Sequence, residues 1–486
     1  MSEGREKVGQ MKFSFISPGP NTELSVSEKK KAIGSWPPLG LLYIATILRD
    51  QGTEVSVLDQ AAQGLSVEET VKWVKKENPD ILGFSTLISS GQTAAIIARE
   101  VKKENPNVTI VFGNFQATFN IERIFKNYPF VDIIVRGEAE QTALELVRCL
   151  KNGGKLKSVE GISFQENGRI ISTPDRPLVK DIDAIPFPDR SLLDVEYHSV
   201  IAGANVAPKK FTSILSSRGC VFRCRFCGCQ RFARGVWRPR SVENTLEELC
   251  LLVSEGYRQF IFVDDSFTIN PKRVIKLCQQ IRKEKMDIEW ICEGRVDNCS
   301  YEMMREIVKA GCKILYFGIE SANQWVLNYF NKRITPKQSK DAVKTARKAG
   351  MDIIVGSFIV GAPNETRKEI ENTLKFAKQL ALDIPQFNIL GVFPGMDIWD
   401  ELRMKELLNE DKYWETGVMV SEISPDTVPC EEIKQMVHDH FQRFFRRPEY
   451  IIPQVAKTLK SPYRLNVVLN NLTRIDAISD GMRKVA

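Results

Sequence analysis

Residues 218–229 read RGCVFRCRFCGC, four cysteines within ten positions, and what these thiols hold decides what surrounds them. Structural zinc takes four closed ligands, usually as two separated pairs, and no second Cys or His pair of finger-like spacing follows. A disulfide knot belongs to an oxidising compartment. The N-terminal MSEGREKVGQ has no apolar signal core, so a cytoplasmic protein is expected, with its thiols reduced. Cys149, Cys250, Cys278, Cys292, Cys299, Cys312 and Cys430 are scattered, mostly in apolar surroundings, and read as small buried hydrophobes. The third reading is an iron–sulfur cubane, which normally takes four thiolates. Cys220, Cys224 and Cys227 have the spacing C-x3-C-x2-C and would leave one iron open to a substrate or cofactor. Cys229, a single residue beyond Cys227, is a strained partner and reads as non-ligating.

At 486 residues, 43% of them hydrophobic, the chain is expected to fold as two or three packed domains. No run of about 18 apolar residues is present to span a membrane. From residue 12, short apolar runs (KFSFISP, TEVSVLD, DILGFSTL, VTIVFGN, VDIIVRGE) alternate with segments of helical spacing. That alternation predicts a doubly wound parallel α/β sheet over 11–150, with ligands beyond the carboxyl ends of its strands. Residues 151–208 read as a junction, with a hairpin turning at Asn167-Gly168 and a proline-stiffened DAIPFPD. Over 209–400 six strand candidates (FTSILSS, QFIFVDD, EWICEGR, ILYFGIES, IIVGSFIVG, PQFNILGVF) are each followed by a helical segment. Six βα units are two short of a closed eight-fold barrel, so a partial (β/α)6 TIM-type barrel is expected, with its chemistry at the strand carboxyl ends. A basic helical segment fills 401–486.

The cysteine spacing, with Phe226 beside the third cysteine, resembles that of the radical S-adenosylmethionine (SAM) enzymes, and FVDDSF, GIES and GSFIVGAPNET resemble their SAM-lining segments in order. The resemblance implies a 4Fe–4S cluster on Cys220, Cys224 and Cys227, whose open iron is chelated by SAM, and reductive cleavage of SAM to a 5′-deoxyadenosyl radical. Phe226 would cover the adenine. Asp264 and Asp265 would meet the amino group, unless they cap the next helix. Arg295 would pair the carboxylate, or form an ordinary salt bridge. Glu320 and Ser321 suit ribose or methionyl contacts, against simple strand-end capping. Gly361, with Pro363, would allow close backbone approach or merely turn the chain.

In the first domain SPGP, containing Pro18, stands where a dinucleotide fingerprint would, so a nicotinamide reading loses support. Pro37, Pro38, Leu39 and Gly40 precede a helix. Ser85 and Thr86, then Gly113, Asn114 and Gln116, then Gly137 and Glu138, follow later strands. Small and amide residues at four strand ends make a ledge for a large planar ligand. In order and arrangement they resemble the cobalamin-binding domain that precedes many radical SAM enzymes, although the family's Gly-Gly-x-His segment appears altered here, as GNFQA. The three histidines are His198, His438 and His440, so the resemblance implies cobalamin with no protein histidine below the cobalt, and Tyr, Leu or water facing it instead. His438 and His440 read as surface or packing residues.

Together the two resemblances imply a cobalamin-dependent radical SAM methyltransferase, with the methyl taken from one SAM and the radical from a second. The acceptor would be an unactivated carbon of a peptide or protein side chain, or of a lipid or isoprenoid. The alternatives are a cyclase or rearrangement enzyme of lipids or tetrapyrroles without net methyl transfer, and a non-catalytic corrinoid or redox sensor. A low-potential donor such as ferredoxin or flavodoxin is implied. No residue declares itself as the proton or electron donor; Tyr197, Tyr316 and Tyr413 are nominal candidates. The net charge of +7 is concentrated in 440–486, where nine Lys or Arg face three Asp or Glu, a net of +6. The rest is near neutral, which argues against a nucleic-acid footprint. This tail could lie peripherally on an anionic membrane, dock an acidic protein, or cap the barrel.

Overall fold

The computed structural model describes residues 11–20, 35–411, 414 and 428–471; Tyr413 and the end of the basic tail lie outside them. It divides into two units: residues 11–20, Pro37–Lys180 and Ala184–Val195 fall in the first, and residues 35–36, Asp181–Asp183 and the described part of Glu196–Ala486 in the second.

In the first unit seven strands are ordered β2-β1-β3-β4-β5-β6-β7. They are β1 (Lys12–Ser17), β2 (Glu54–Asp59), β3 (Ile81–Ser85), β4 (Thr109–Gly113), β5 (Ile133–Val135), β6 (Ile162–Glu166) and β7 (Arg169–Ser172). The helices are α1 (Leu39–Asp50), α2 (Gln60–Gln63), α3 (Val67–Glu77), α4 (Gly91–Glu104), α5 (Phe115–Phe119), α6 (Ile121–Asn127) and α7 (Glu140–Lys151). β1 to β5 are parallel, and such strands, covered on both faces, require near-continuous apolar runs; Ile81–Phe84 is buried throughout. The chain leaves β1 toward β2 on one side and reaches β3 on the other, so a switch-point crevice opens at the carboxyl ends of β1 and β3.

One expectation is corrected. The hairpin assigned to a junction extends this sheet: β6 pairs antiparallel with β5, and β7 with β6. Its turn is as read, with Asn167 at φ 52° and Gly168 at φ 71°. The short β5 leaves an open edge, and Arg136 just beyond it fastens the hairpin through the Ile162 carbonyl and Ser163 Oγ, both at 2.6 Å.

The second unit begins with a small hairpin, β8 (Val200–Ile201) and β9 (Ala204–Asn205). A parallel sheet follows, ordered β10-β13-β14-β15-β16-β17: β10 (Phe211–Ile214), β13 (Gln259–Phe262), β14 (Glu289–Arg295), β15 (Cys312–Glu320), β16 (Ile353–Val360) and β17 (Ile384–Ile389). A two-stranded ribbon, β11 (Ser217–Arg218) with β12 (Arg238–Pro239), flanks α8 (Cys229–Phe232). Outer helices are α9 (Val242–Ser254), α10 (Pro271–Lys283), α11 (Tyr301–Lys309), α12 (Gln324–Tyr329), α13 (Pro336–Lys348) and α14 (Arg367–Gln379), then α15 (Asp397–Met404). The six-stranded partial barrel is as expected. Its core centres on Trp290, stacked edgewise on Phe262 and tilted against Phe267. Of the scattered cysteines, Cys149, Cys278, Cys292 and Cys312 are buried. Cys250 is a correction: it is exposed on α9, beside exposed Leu251.

The chain continues as α16 (Cys430–Phe445), α17 (Pro448–Lys460) and α18 (Pro462–Asn471). Among the described residues no helix is long and apolar enough to cross a membrane. A buried carboxylate holds the last two helices. Asp383, ahead of β17, pairs with Arg347, with Lys457 of α17 at 3.1 Å and with Arg464 of α18 at 2.8 Å, while its carbonyl accepts from Tyr450 Oη at 2.8 Å. Burial alone would raise this carboxyl; the Arg347, Arg464 and Lys457 charges outweigh it and hold the pKa down at about 2. Its unfolded value is about 3.9, so the pairing contributes on the order of 2–3 kcal/mol, fully present above pH ~4 and lost as pH falls toward ~2. Asp383→Asn should lower stability by about 3 kcal/mol at neutral pH, since it leaves buried cations unpaired. Urea midpoints measured from pH 7 to 2 should also show a shallower acid decline for the variant.

Candidate active site

The cysteine loop leaves the ribbon strand β11 at Gly219, which has φ +86°; a Cβ there would lie 2.1 Å from the Val236 carbonyl oxygen and 2.8 Å from Ala233 Cβ. Only glycine fits, so the entry to Cys220 is fixed by sterics. Two carboxylates beyond β13 hold the loop. Asp264 is buried and accepts from Ser216 N, Ser216 Oγ and Ser217 Oγ at 2.7, 2.6 and 2.5 Å. Asp265 accepts from Gly219 N at 2.9 Å.

One cavity of about 840 Å³ opens beside this loop, wholly within the second unit. Cys220, Cys224, Cys227, Phe226, Asp265, Arg295 and Glu320 line it; Asp264, Ser321 and Gly361 do not. Asp264 points into the serine turn. Ser321 is buried 3.1 Å from Thr373 Oγ1. Gly361, at φ +85°, donates its N–H to Glu365 and packs near Ile433 of α16.

The donor set fits an iron–sulfur cluster. All four clustered cysteines are free. Burial pushes the Cys220 thiol up to about 11, and burial likewise raises Cys224, so sulfur there becomes thiolate when a cation sits on it. Cys227 and Cys229 share a hydrogen bond, which lowers Cys227 and raises Cys229. Among the described residues no three His, Cys, Asp or Glu groups converge on a single ion, whereas a cubane carries its thiolates on separate irons.

Lys332, which sequence reasoning missed, completes this end. Its Nζ lies 2.5 Å from Glu320 Oε1, both side chains nearly buried. Glu320 sits at φ +64° on a register shift against β16. The pair fills the place of an absent side chain: a Cβ on Gly318 would be 2.6 Å from Glu320 Oε1 and 2.7 Å from Lys332 Nζ. Arg295 makes a two-pronged bond to Asp297, at 2.9 Å on each prong, lies 3.6 Å over the Phe222 ring and points Nη1 to Cys224 Sγ at 3.8 Å. Phe226 meets Phe330 edge-on at 5.1 Å.

Farther in, Glu293 of β14 is opposite Tyr316 of β15. Enclosure raises the Glu293 carboxyl, with the Asp265 and Glu320 charges adding to it; burial and Glu293 raise Tyr316. Ser357, Gln386 and Asn388 continue a polar band over β16 and β17, and Asn388 Nδ2 reaches Ser357 Oγ at 3.2 Å. Trp36, Val200, Ile201, Ile389, Leu390, Val437 and Phe441 form an apolar wall. Tyr197 is buried outside this lining, and His440 is a packing residue, edge-on to Phe387 at 5.4 Å.

In the first unit the carboxyl ends of β3, β4 and β5 carry the ledge. Asn114, at φ +77°, donates to Ser85 Oγ at 2.8 Å, Thr86 Oγ1 donates to the Gly113 carbonyl at 2.8 Å, and Gly137 N donates to Thr118 Oγ1 at 3.1 Å. A Cβ on Gly40 or Gly137 would meet nothing within 4 Å, so open space lies above both. Gln116 is buried against Gly91, and a Cβ there would lie 1.8 Å from its Oε1, so only glycine fits beneath it. Pro18, Pro37 and Leu39 are buried, Pro38 is half-buried, and Glu138 accepts from Val179 N at 3.2 Å. These features fit a broad planar cofactor.

Three open thiols at the mouth of a parallel half-barrel, preceded by a flavodoxin-like sheet, define the radical SAM class with an added corrinoid domain. Residues 214–377 match the Radical SAM superfamily and 30–147 the B12 binding domain. The chain is 36% identical over 438 residues, 90% of this chain and 93% of the relative, to an uncharacterized methyltransferase of Pyrococcus horikoshii. It is 30% identical over 431 residues, 86% and 75% of the two chains, to the anaerobic magnesium-protoporphyrin IX monomethyl ester cyclase of Rubrivivax gelatinosus. The fold is shared with the radical SAM methyltransferase TsrM of Kitasatospora setae, at TM-score 0.65 and 15% identity over 82% of this chain and 75% of that one. The protein belongs to the cobalamin-binding radical SAM family. Its two domains imply a 4Fe–4S cluster, SAM and cobalamin.

Anaerobic reconstitution followed by iron and sulfide assay tests the ligand set. Cys220→Ala, Cys224→Ala and Cys227→Ala should each retain less than about a tenth of the cluster, Cys229→Ala nearly all of it, and Gly219→Ala should fail like a ligand variant.

Proposed function

We propose that this protein is a C-methyltransferase acting on an apolar substrate bound against the Val437 and Phe441 wall. When bound, the cofactors supply a hydrogen-abstracting radical and a methyl donor: one substrate C–H becomes C–CH3. Two SAM then yield S-adenosylhomocysteine, methionine and 5′-deoxyadenosine, with two electrons drawn from a low-potential donor of ferredoxin or flavodoxin type. Cys220, Cys224 and Cys227 would hold the cluster, and Asp265, Glu320 and Phe226 would position SAM. The ledge from Ser85 to Glu138 would carry cobalamin, with no histidine beneath it. Glu293 and Tyr316 would orient the polar end of the substrate.

One observation carries the reading: the cavity that the cysteines line is also lined by the aliphatic and aromatic side chains of Trp36, Val200, Ile201, Ile389, Leu390, Val437 and Phe441. Charged peptide side chains are poorly matched to such a wall, whereas a lipid or isoprenoid buries its apolar surface there. The identity to a cyclase makes ring formation the second reading.

Reconstituted protein should be given reductant, hydroxocobalamin and SAM labelled in its methyl group, then mixed with fractionated lipid and peptide extracts. Label passing to a lipid fraction together with 5′-deoxyadenosine is expected. Label reaching a peptide instead would overturn the substrate class, and deoxyadenosine formed with an unlabelled, altered product would favour the cyclase. Phe441→Ala should raise KM for the lipid about tenfold while leaving deoxyadenosine formation without substrate unchanged, the mark of lost substrate binding.

A further inference from the structure

The last two helices are oriented the opposite way from ordinary amphipathic helices. On α17, Ile451, Ile452, Val455 and Leu459 span an arc of about 100° at helical spacing, and all four are exposed, Ile452 at 69% and Leu459 at 75%. No residue of α17 is buried. Its opposite face carries Tyr450 and Lys457, which hold Asp383. On α18, Leu465, Val468 and Leu469 are likewise exposed. The inward face is held by polar groups: Tyr463 Oη donates to the Val206 carbonyl at 2.8 Å, and Asn471 Nδ2 to the Asn205 carbonyl at 2.9 Å. Both helices are therefore fastened by ionic and hydrogen-bonding contacts, leaving their aliphatic sides outward. Apolar patches of this extent mark interaction sites.

Cations border the stripe. Arg446 and Arg447 immediately precede α17, and Lys460 ends it. Lys378 is lowered by burial and by neighbouring Arg447, Arg443 and Lys375, so like charges crowd here. From 440 to 471 six Lys or Arg face one Glu; Lys457 and Arg464 are spent on Asp383, Arg447 donates to the Phe444 and Lys378 carbonyls and Arg443 pairs with Asp439, which leaves Arg446 and Lys460 at the two ends of α17.

We infer that α17 and α18 form a docking surface for an anionic lipid membrane, with their aliphatic stripe at the acyl boundary and the bordering arginines and lysines on the headgroups. Aliphatic side chains rimmed by basic ones suit this interface, each surface cation adding attraction to acidic lipids. Charge disfavours the other occupants. A second copy would set the same cations face to face. Residues 472–486 carry three Arg or Lys against two Asp and would add positive charge to positive. An acidic protein would meet the cations but leave large aliphatic groups against a polar surface. The inference stands apart from the proposed reaction, because binding is read without turnover.

Flotation of the reconstituted full-length protein with vesicles tests it, comparing phosphatidylcholine alone with phosphatidylcholine containing phosphatidylglycerol. The expected result is co-flotation with the anionic vesicles only, weakened by raised salt. Ile452→Glu/Leu459→Glu should reduce binding at least about tenfold, and Arg446→Glu/Lys460→Glu should reduce both binding and its salt dependence. Circular dichroism should show both variants folded, and the wild-type salt series tests the inference without them. No flotation with either vesicle would overturn it, as would binding that survives the Glu pair. A wild-type dimer that dissociates in the Glu pair, without flotation, would assign the face to a second copy.

Discussion

The cofactor end of the barrel depends on one buried carboxylate. Asp264 stands at the end of β13 with three donors from Ser216 and Ser217 around it. Burial raises its carboxyl, while the serine hydrogen bonds and Arg273 pull the other way. A buried acceptor of this kind is costly to leave unsatisfied, so the chain after β10 must turn where those donors reach it. Arg273 closes the same turn by donating to the Ser216 carbonyl at 2.7 Å. The cysteine loop then starts from a fixed point, and Gly219 permits only one exit direction. Removing the Asp264 acceptor would loosen the turn from which the cysteine loop starts.

The barrel separates chemistry from recognition along its strands. Strand ends and following loops supply Cys220, Asp265, Arg295 and Glu320, and the strand interiors supply Glu293, Tyr316, Ser357 and Gln386. Inward positions alternate along each strand, which is why Glu293 and Arg295 share a face and Ser357 and Ile359 do likewise. The closing wall comes from elsewhere: Val437 and Phe441 lie on α16, and Val200 and Ile201 on the small hairpin. Part of the cavity lining thus comes from segments outside the repeating βα pattern.

The parallel strands of both units were legible as apolar runs, because strands buried on two faces leave that signature. The thiols were legible from spacing. Lys332 was not: it follows α12 in a loop whose sequence, FNKRI, carries no pattern, and only the fold brings it to Glu320. Asp264 and Asp265, adjacent and alike in sequence, separate in the structure; one anchors the serine turn and the other lines the cavity. The place of the hairpin was hidden because its turn chemistry fixes its shape but not its neighbour. The sequence left the tail's placement open for a physical reason: periodicity locates the apolar face of α17, and whether that face is buried depends on the fold.

The charges around the cavity finally indicate what sort of cofactor it suits. Asp265, Glu293, Glu320 and Asp297 bring four carboxyls near two cations, Lys332 and Arg295. Glu293 is raised by this excess as well as by its enclosure. A cationic ligand seated among them would reverse the effect, because a positive charge within a few ångströms stabilises carboxylates. SAM carries a sulfonium and an ammonium group beside a single carboxylate. A cation of this kind would be complementary to the anionic bias, while Arg295, already committed to Asp297, keeps its remaining nitrogen toward Cys224. A cation bound beside Glu293 would therefore favour its ionised form.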